Sequence, residues 1–139
     1  MDELPPELQR PDGVSDETVE AVGALTLALE TVIRARGALY EFHQLTGKGD
    51  NEVERAVELL RKAGANDVAD EIEATIVGRN INERRWTFQI VEDYDRTYYE
   101  PFVAAERSVR ERLVDGRKHQ REAEMKRHET TPGSDAHGF

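Results

Sequence analysis

Two long stretches of this chain carry apolar residues at helical spacing and contain no proline, which leaves little room for any element but helix. The first follows Ser15, a side chain suited to cap a helix N-terminus, with Asp16 and Glu17 in the first turn where the helix dipole favours acids. Its pattern runs to Gly47, and residues 16–46 would make a helix of about 46 Å. The run GKGD at 47–50 is expected to break it. Asp50 or Asn51 then caps a short second helix over about 52–63. Val53, Val57 and Leu60 mark its buried face, and Gly64 stands where a C-terminal glycine belongs. Asn66 caps a third helix that starts at Asp67, and nothing forbids it as far as Glu100. Pro101 kinks that helix or opens a further segment, with Phe102, Val109 and Leu113 continuing the apolar spacing. There is no alternating strand pattern and no internal repeat. The expectation is an all-α fold: an antiparallel helical bundle of two or three long helices plus one short helix, completed by dimerisation.

The bundle is expected to occupy residues 15–114. Residues 1–14 hold three of the five prolines and read as an extended acidic lead-in, loosely held. Residues 115–139 read as a polar tail with little to pack, helical to about Glu129 and disordered over TTPGSDAHGF. A length of 139 residues suits one domain with a real core. The net charge of −10 opposes phosphate backbones and anionic lipid, so nucleic acid and membrane are poor partners. With no cysteine, disulfides, zinc–thiolate sites and cysteine nucleophiles are excluded. MDELPPELQRPDG shows neither a basic region nor an apolar run, so no secretory signal is expected and the reading is a cytoplasmic protein.

Placed on a helical wheel, Arg36 and His43 fall in the middle of the first helix's apolar face. Arg79 and Glu83 fall inside the apolar face of the third, among Trp86, Ile90 and Tyr94. That third helix carries a second apolar set, including Ile81, Phe88, Val91 and Tyr98. The combined arc spans roughly 220°, whereas one neighbour needs only about 100°. It must therefore meet two partners. Six of the nine aromatics lie between 86 and 102, and self-association through the first and third helices would cover them. If the short helix only caps the turn, the long helices run antiparallel. Arg36 then falls near Arg79 and Glu83, and His43 near Asp70 and Glu73.

Two readings of this polar cluster compete. A buried ion pair between Arg79 and Glu83, with Arg36 adjacent, would fix helix register. Alternatively two guanidiniums against one carboxylate leave positive charge for a small anionic ligand, with Tyr40, Trp86 and Tyr94 as walls and His43 within reach. Metal chemistry has less support. Glu-x-x-His, the di-iron bundle motif, does not occur. Asp70-x-x-Glu73 and Glu92-x-x-Asp95 loosely resemble the acidic pairs of all-α nucleoside triphosphate pyrophosphohydrolases. On one helix those pairs would stand about 33 Å apart, so the motif works only if Gly78–Asn82 breaks the helix. No phosphate loop, nucleophile elbow or Ser–His–acid arrangement is present, and no cofactor is expected. The reading is a small acidic, homodimeric interaction or structural module rather than an enzyme; the alternative is a helical-bundle protein or enzyme that binds a small anion or a metal, with a nucleotide pyrophosphohydrolase-like activity as its weakest form.

Overall fold

A computed structural model describes residues 3–134, 136 and 137, so Met1, Asp2, Asp135, Gly138 and Phe139 of the expected lead-in and tail lie outside the described residues. The described residues are all-α, and their one bridge of strand type is the isolated pair Asn82 and Arg85. Five helices follow in order: α1 (Asp16–Lys62), α2 (Asn66–Thr75), α3 (Thr87–Tyr94), α4 (Glu100–Val114) and α5 (Gln120–Glu129). A π-helical stretch, Asp95–Tyr99, lies between α3 and α4, and a single 3-10 turn, Pro6–Leu8, precedes α1. None of these helices is long and apolar enough to cross a membrane. The chain divides into two compact units, Met1–Val32 with Glu100–Phe139, and Ile33–Tyr99.

In the first unit Ser15 Oγ accepts from the Thr18 backbone N–H at 3.2 Å and starts α1 as expected. The lead-in is held more firmly than its composition suggests. Leu4 is buried, and Gln9 O accepts from Arg117 Nη1 at 2.8 Å and from Gln120 Nε2 at 3.1 Å. Arg10 forks onto both carboxylate oxygens of Glu124, at 2.9 and 3.0 Å, and reaches Asp16 at 2.7 Å. The polar tail has in this way found something to pack: α5 buries Gln120 and Ala123. Beyond it Thr130 Oγ1 lies 2.7 Å from Lys126 O and 3.2 Å from His137 O. Val19, Val22 and Leu29 of α1 and Val114 of α4 supply the apolar core of this unit.

In the second unit the expected break at GKGD is absent, and α1 continues through it to Lys62. Each mid-helix glycine costs roughly 1 kcal/mol against alanine, which weakens a helix without forbidding it. The face carrying Val53 and Val57 keeps packing beyond the glycines, and a Lys48–Glu52 ion pair spans them one turn apart. The end of the helix is where the glycine rule places it. Gly64 has φ +81°, and Ala65 N–H donates back to Leu60 O at 2.9 Å. Arg61 then clamps the turn by bonding Asp70 at 2.8 Å and Glu73 at 2.5 Å on α2.

The continuous third helix is also replaced. Residues 76–86 form a loop between α2 and α3. Gly78, at φ +69°, leaves the right-handed helical region, and Arg84 takes φ +59° in the turn closed by Arg85 N–H to Asn82 O at 3.0 Å. Asp50 on α1 pins the loop by accepting from Gly78 N–H at 2.9 Å. Helix resumes when the Gln89 side chain accepts from Trp86 N–H at 2.9 Å, satisfying one donor of the new N-terminus. Ahead of Pro101, which has no N–H to give, the ladder widens into the π stretch rather than breaking.

Candidate functional site

The loop and α1 enclose a groove of about 760 Å³ in the second unit. That volume falls within the range of small-molecule sites. Its α1 wall is made by His43, Gly47, Gly49 and Asp50, and Ile76, Arg79, Ile81, Trp86 and Phe88 face them across the opening. The indole of Trp86 meets the Phe88 ring edge-on at 5.9 Å and remains 58% exposed. His43 Nδ1 and the buried Thr87 Oγ1 share a hydrogen bond of 2.6 Å, which fixes the imidazole against the first turn of α3. The Arg79 guanidinium donates to Thr75 O at 3.2 Å and meets no carboxylate among the described residues. Its remaining donors are available to an anion.

A second cluster lies on the same α1 segment. Arg36 grips Asp95 with two parallel bonds, Nε to Oδ1 at 2.7 Å and Nη2 to Oδ2 at 2.9 Å. Its guanidinium carbon also lies 5.9 Å from the Tyr40 ring and 5.3 Å from that of Tyr99, and edge-to-face contact continues from Tyr40 to His43 at 5.8 Å. Tyr94 and Tyr98 pack against each other with centroids 5.6 Å apart. The hydrogen bonds from Arg36 hold the Asp95 carboxyl below its ordinary value. Its stabilising contribution is therefore complete above the usual carboxylate range and is lost as pH falls through the lowered value. Arg36→Met is expected to lower the urea midpoint at pH 7, and the gap from wild type should close between about pH 5 and pH 2. A gap that persists unchanged at the acid end would show that the bonds to Asp95 are not its source.

The sequence-derived candidates thus divide. His43, Arg79 and Trp86 come together on the groove. Arg36 and Tyr40 belong to the Asp95 cluster, and Tyr94 to the tyrosine pair. Glu83 sits exposed on the turn and forms no ion pair with Arg79 among the described residues. The helical i, i+4 relation between these two was corrected by Gly78: residues 79 and 83 are not on a helix. The register guess fails for the same reason, since Arg36 meets Asp95 rather than 79 or 83, and His43 meets Thr87 rather than Asp70 or Glu73. The acidic pairs do not assemble either, although the helix does break between them. Asp70 and Glu73 are held by Arg61, Asp95 by Arg36, and Glu92 is exposed; no three metal-ligating side chains group among the described residues.

The buried ion pair anticipated at Arg79–Glu83 exists in the first unit instead. Glu106 and Arg110 lie one turn apart on α4, with side chains 5% and 9% exposed, and bond at 2.6 Å. Thr26 Oγ1 stands 3.0 Å from Glu106 Oε1 and 3.0 Å from Val22 O, while Arg110 Nη1 donates to Gly116 O at 2.8 Å. Burial pushes the Glu106 carboxyl up, but the bonds from Arg110 and Thr26 outweigh it and the group ends below its ordinary value. A signal for this pair was present: Phe102, Glu106, Arg110 and Val114 form one i, i+4 row, with opposite charges between two apolar ends. No protein-family model matches this chain, and neither the curated proteins nor the solved structures contain a match.

Proposed function

We propose that this protein is a homodimeric helical interaction module. The observation that carries this is the imbalance of the second unit. Its buried apolar residues are Val57, Ala69 and Val91, while large apolar side chains such as Leu45, 58% exposed, and Leu59, 48% exposed, remain on the surface. Isolated exposed apolar residues are ordinary, but so many against so small a core mark a surface that another protein covers. A second copy is the partner most often found for such a surface. Light scattering at micromolar concentration tests this directly: the expected mass is twice 15.8 kDa, and a mass of 15.8 kDa would refute it.

One observation favours a second activity in the same module. Arg79 presents free donors inside a groove that also holds a half-exposed indole, an arrangement suited to a small carboxylate or phosphate bearing a flat ring. Trp86 is the chain's one tryptophan, so its emission reports on the groove alone. A titration with aromatic carboxylates and nucleoside phosphates is expected to give a saturable change, weakened about tenfold or more in Arg79→Met by the loss of a charged bond. A flat response across the whole panel would remove the ligand reading and leave the dimer untouched.

A further inference from the structure

The α1 segment of the second unit has two faces at heptad spacing. Residues 36, 39, 43, 46, 50, 53, 57 and 60 recur at alternating steps of three and four, and all are buried or half-buried. A second series, Ala35, Ala38, Phe42, Leu45, Gly49, Glu52, Ala56 and Leu59, recurs with the same alternation, and every member is exposed. Phe42 keeps 47%, Leu45 58% and Leu59 48% of its surface. A 3.5-residue apolar repeat is the signature of a helix–helix seam. One seam is satisfied inside the chain, and among the described residues no element covers the other.

We infer that two copies join through this outer seam of α1, antiparallel, with the two-fold axis passing near residues 43 and 44; this rests on the homodimer reading above. Sequence complementarity supplies the occupant and the direction. In the antiparallel register Phe42 of one copy meets Leu45 of the other, and Ala38 meets Gly49. Large side chains fill the centre, and small ones beside them let the backbones approach. The same register sets Glu41 of one copy near Lys48 of the other, so the flanking charges attract. A parallel pairing would place Glu52 against Glu52 inside the seam and leave Lys48 without an opposite charge at the flank.

The experiment compares wild type, Leu45→Glu and Trp86→Ala by light scattering, then maps the contact by disulfide formation. The chain has no cysteine, so Phe42→Cys and Leu45→Cys each introduce a lone thiol. The two variants are mixed, one isotope-labelled, oxidised mildly and examined by mass spectrometry. The expected results are a dimeric wild type, a dimeric Trp86→Ala, a monomeric Leu45→Glu that keeps its helical circular dichroism, and cross-links mainly between unlike variants. A monomeric wild type would overturn both the homodimer and the seam. A wild-type dimer that survives Leu45→Glu, or the absence of cross-links at 42 and 45, would overturn the seam alone. Cross-links between like variants only would overturn the antiparallel direction.

Discussion

Glu106→Ala is expected to cost about 3–5 kcal/mol of stability, the range for removing one partner of a buried ion pair. The size follows from what is left behind. Arg110 stays 7% exposed, and of its present partners only the Gly116 carbonyl remains. The guanidinium keeps its largely buried position with one partner, and burying an uncompensated charge is among the few mechanisms that cost this much. Thr26 loses little, because its hydroxyl already lies within reach of Val22 O. The pair as a whole is a different matter. Glu106→Leu combined with Arg110→Met removes both desolvation costs and is expected to recover most of the loss. Urea unfolding followed by circular dichroism measures all three proteins. If Glu106→Ala lost under about 1 kcal/mol, the pair would be behaving as a surface ion pair, and its burial would not have the consequence argued for it.

The location of that pair shows what a wheel can and cannot read. Helical spacing places an ion pair inside an apolar face at residues 79 and 83, whereas the buried pair lies at 106 and 110. Helical spacing continues across 76–86, since Ile76, Arg79, Glu83, Trp86 and Ile90 fall at intervals of three and four. What decides the conformation there is backbone chemistry: Gly78 at positive φ and the Asn82–Arg85 turn, held by Asp50 from a distant part of the chain. Spacing arguments carry no information about a tertiary hydrogen bond of that kind. The converse holds at GKGD, where two glycines signal a stop but α1 is packed on both sides of them and the local preference is overridden. Where a local signal coincides with the packing, as at Ser15 and Gly64, the sequence reading and the structure agree.

Candidate residues follow the same logic. His43 and Arg36 were found because they interrupt an apolar face, and both lie half-buried on the packed side of α1. Their partners were not found, because partners depend on how the chain returns. The spacing of Asp95 suggests only a metal ligand, and nothing in the sequence marks Thr87 as the buried hydroxyl that fixes His43. Asp50, a cap by its sequence position, instead anchors the groove's far wall through Gly78 N–H. Polar residues on an apolar face can be picked out from one helix alone, whereas pairing them requires knowledge of a second.

The melting temperature is expected to rise with protein concentration, which places the homodimer reading under a thermodynamic test independent of mass. If unfolding converts one dimer into two unfolded chains, each tenfold rise in concentration adds about 1.4 kcal/mol per dimer to the folded side. Over a hundredfold range the gain is about 2.7 kcal/mol. Two chains of this length carry an unfolding entropy near 0.6 kcal/mol/K, so the midpoint should climb by about 5 °C. A monomer undergoing reversible two-state unfolding has no such dependence. Leu45→Glu places a carboxylate in the seam opposite Phe42 and is expected to flatten the dependence while lowering the midpoint at every concentration. Scans of wild type and variant from about 1 to 100 µM decide it. A wild-type midpoint that stays fixed across that range would mean that folding is complete within one chain, and the exposed aromatic surface would then need a covering partner other than this protein itself.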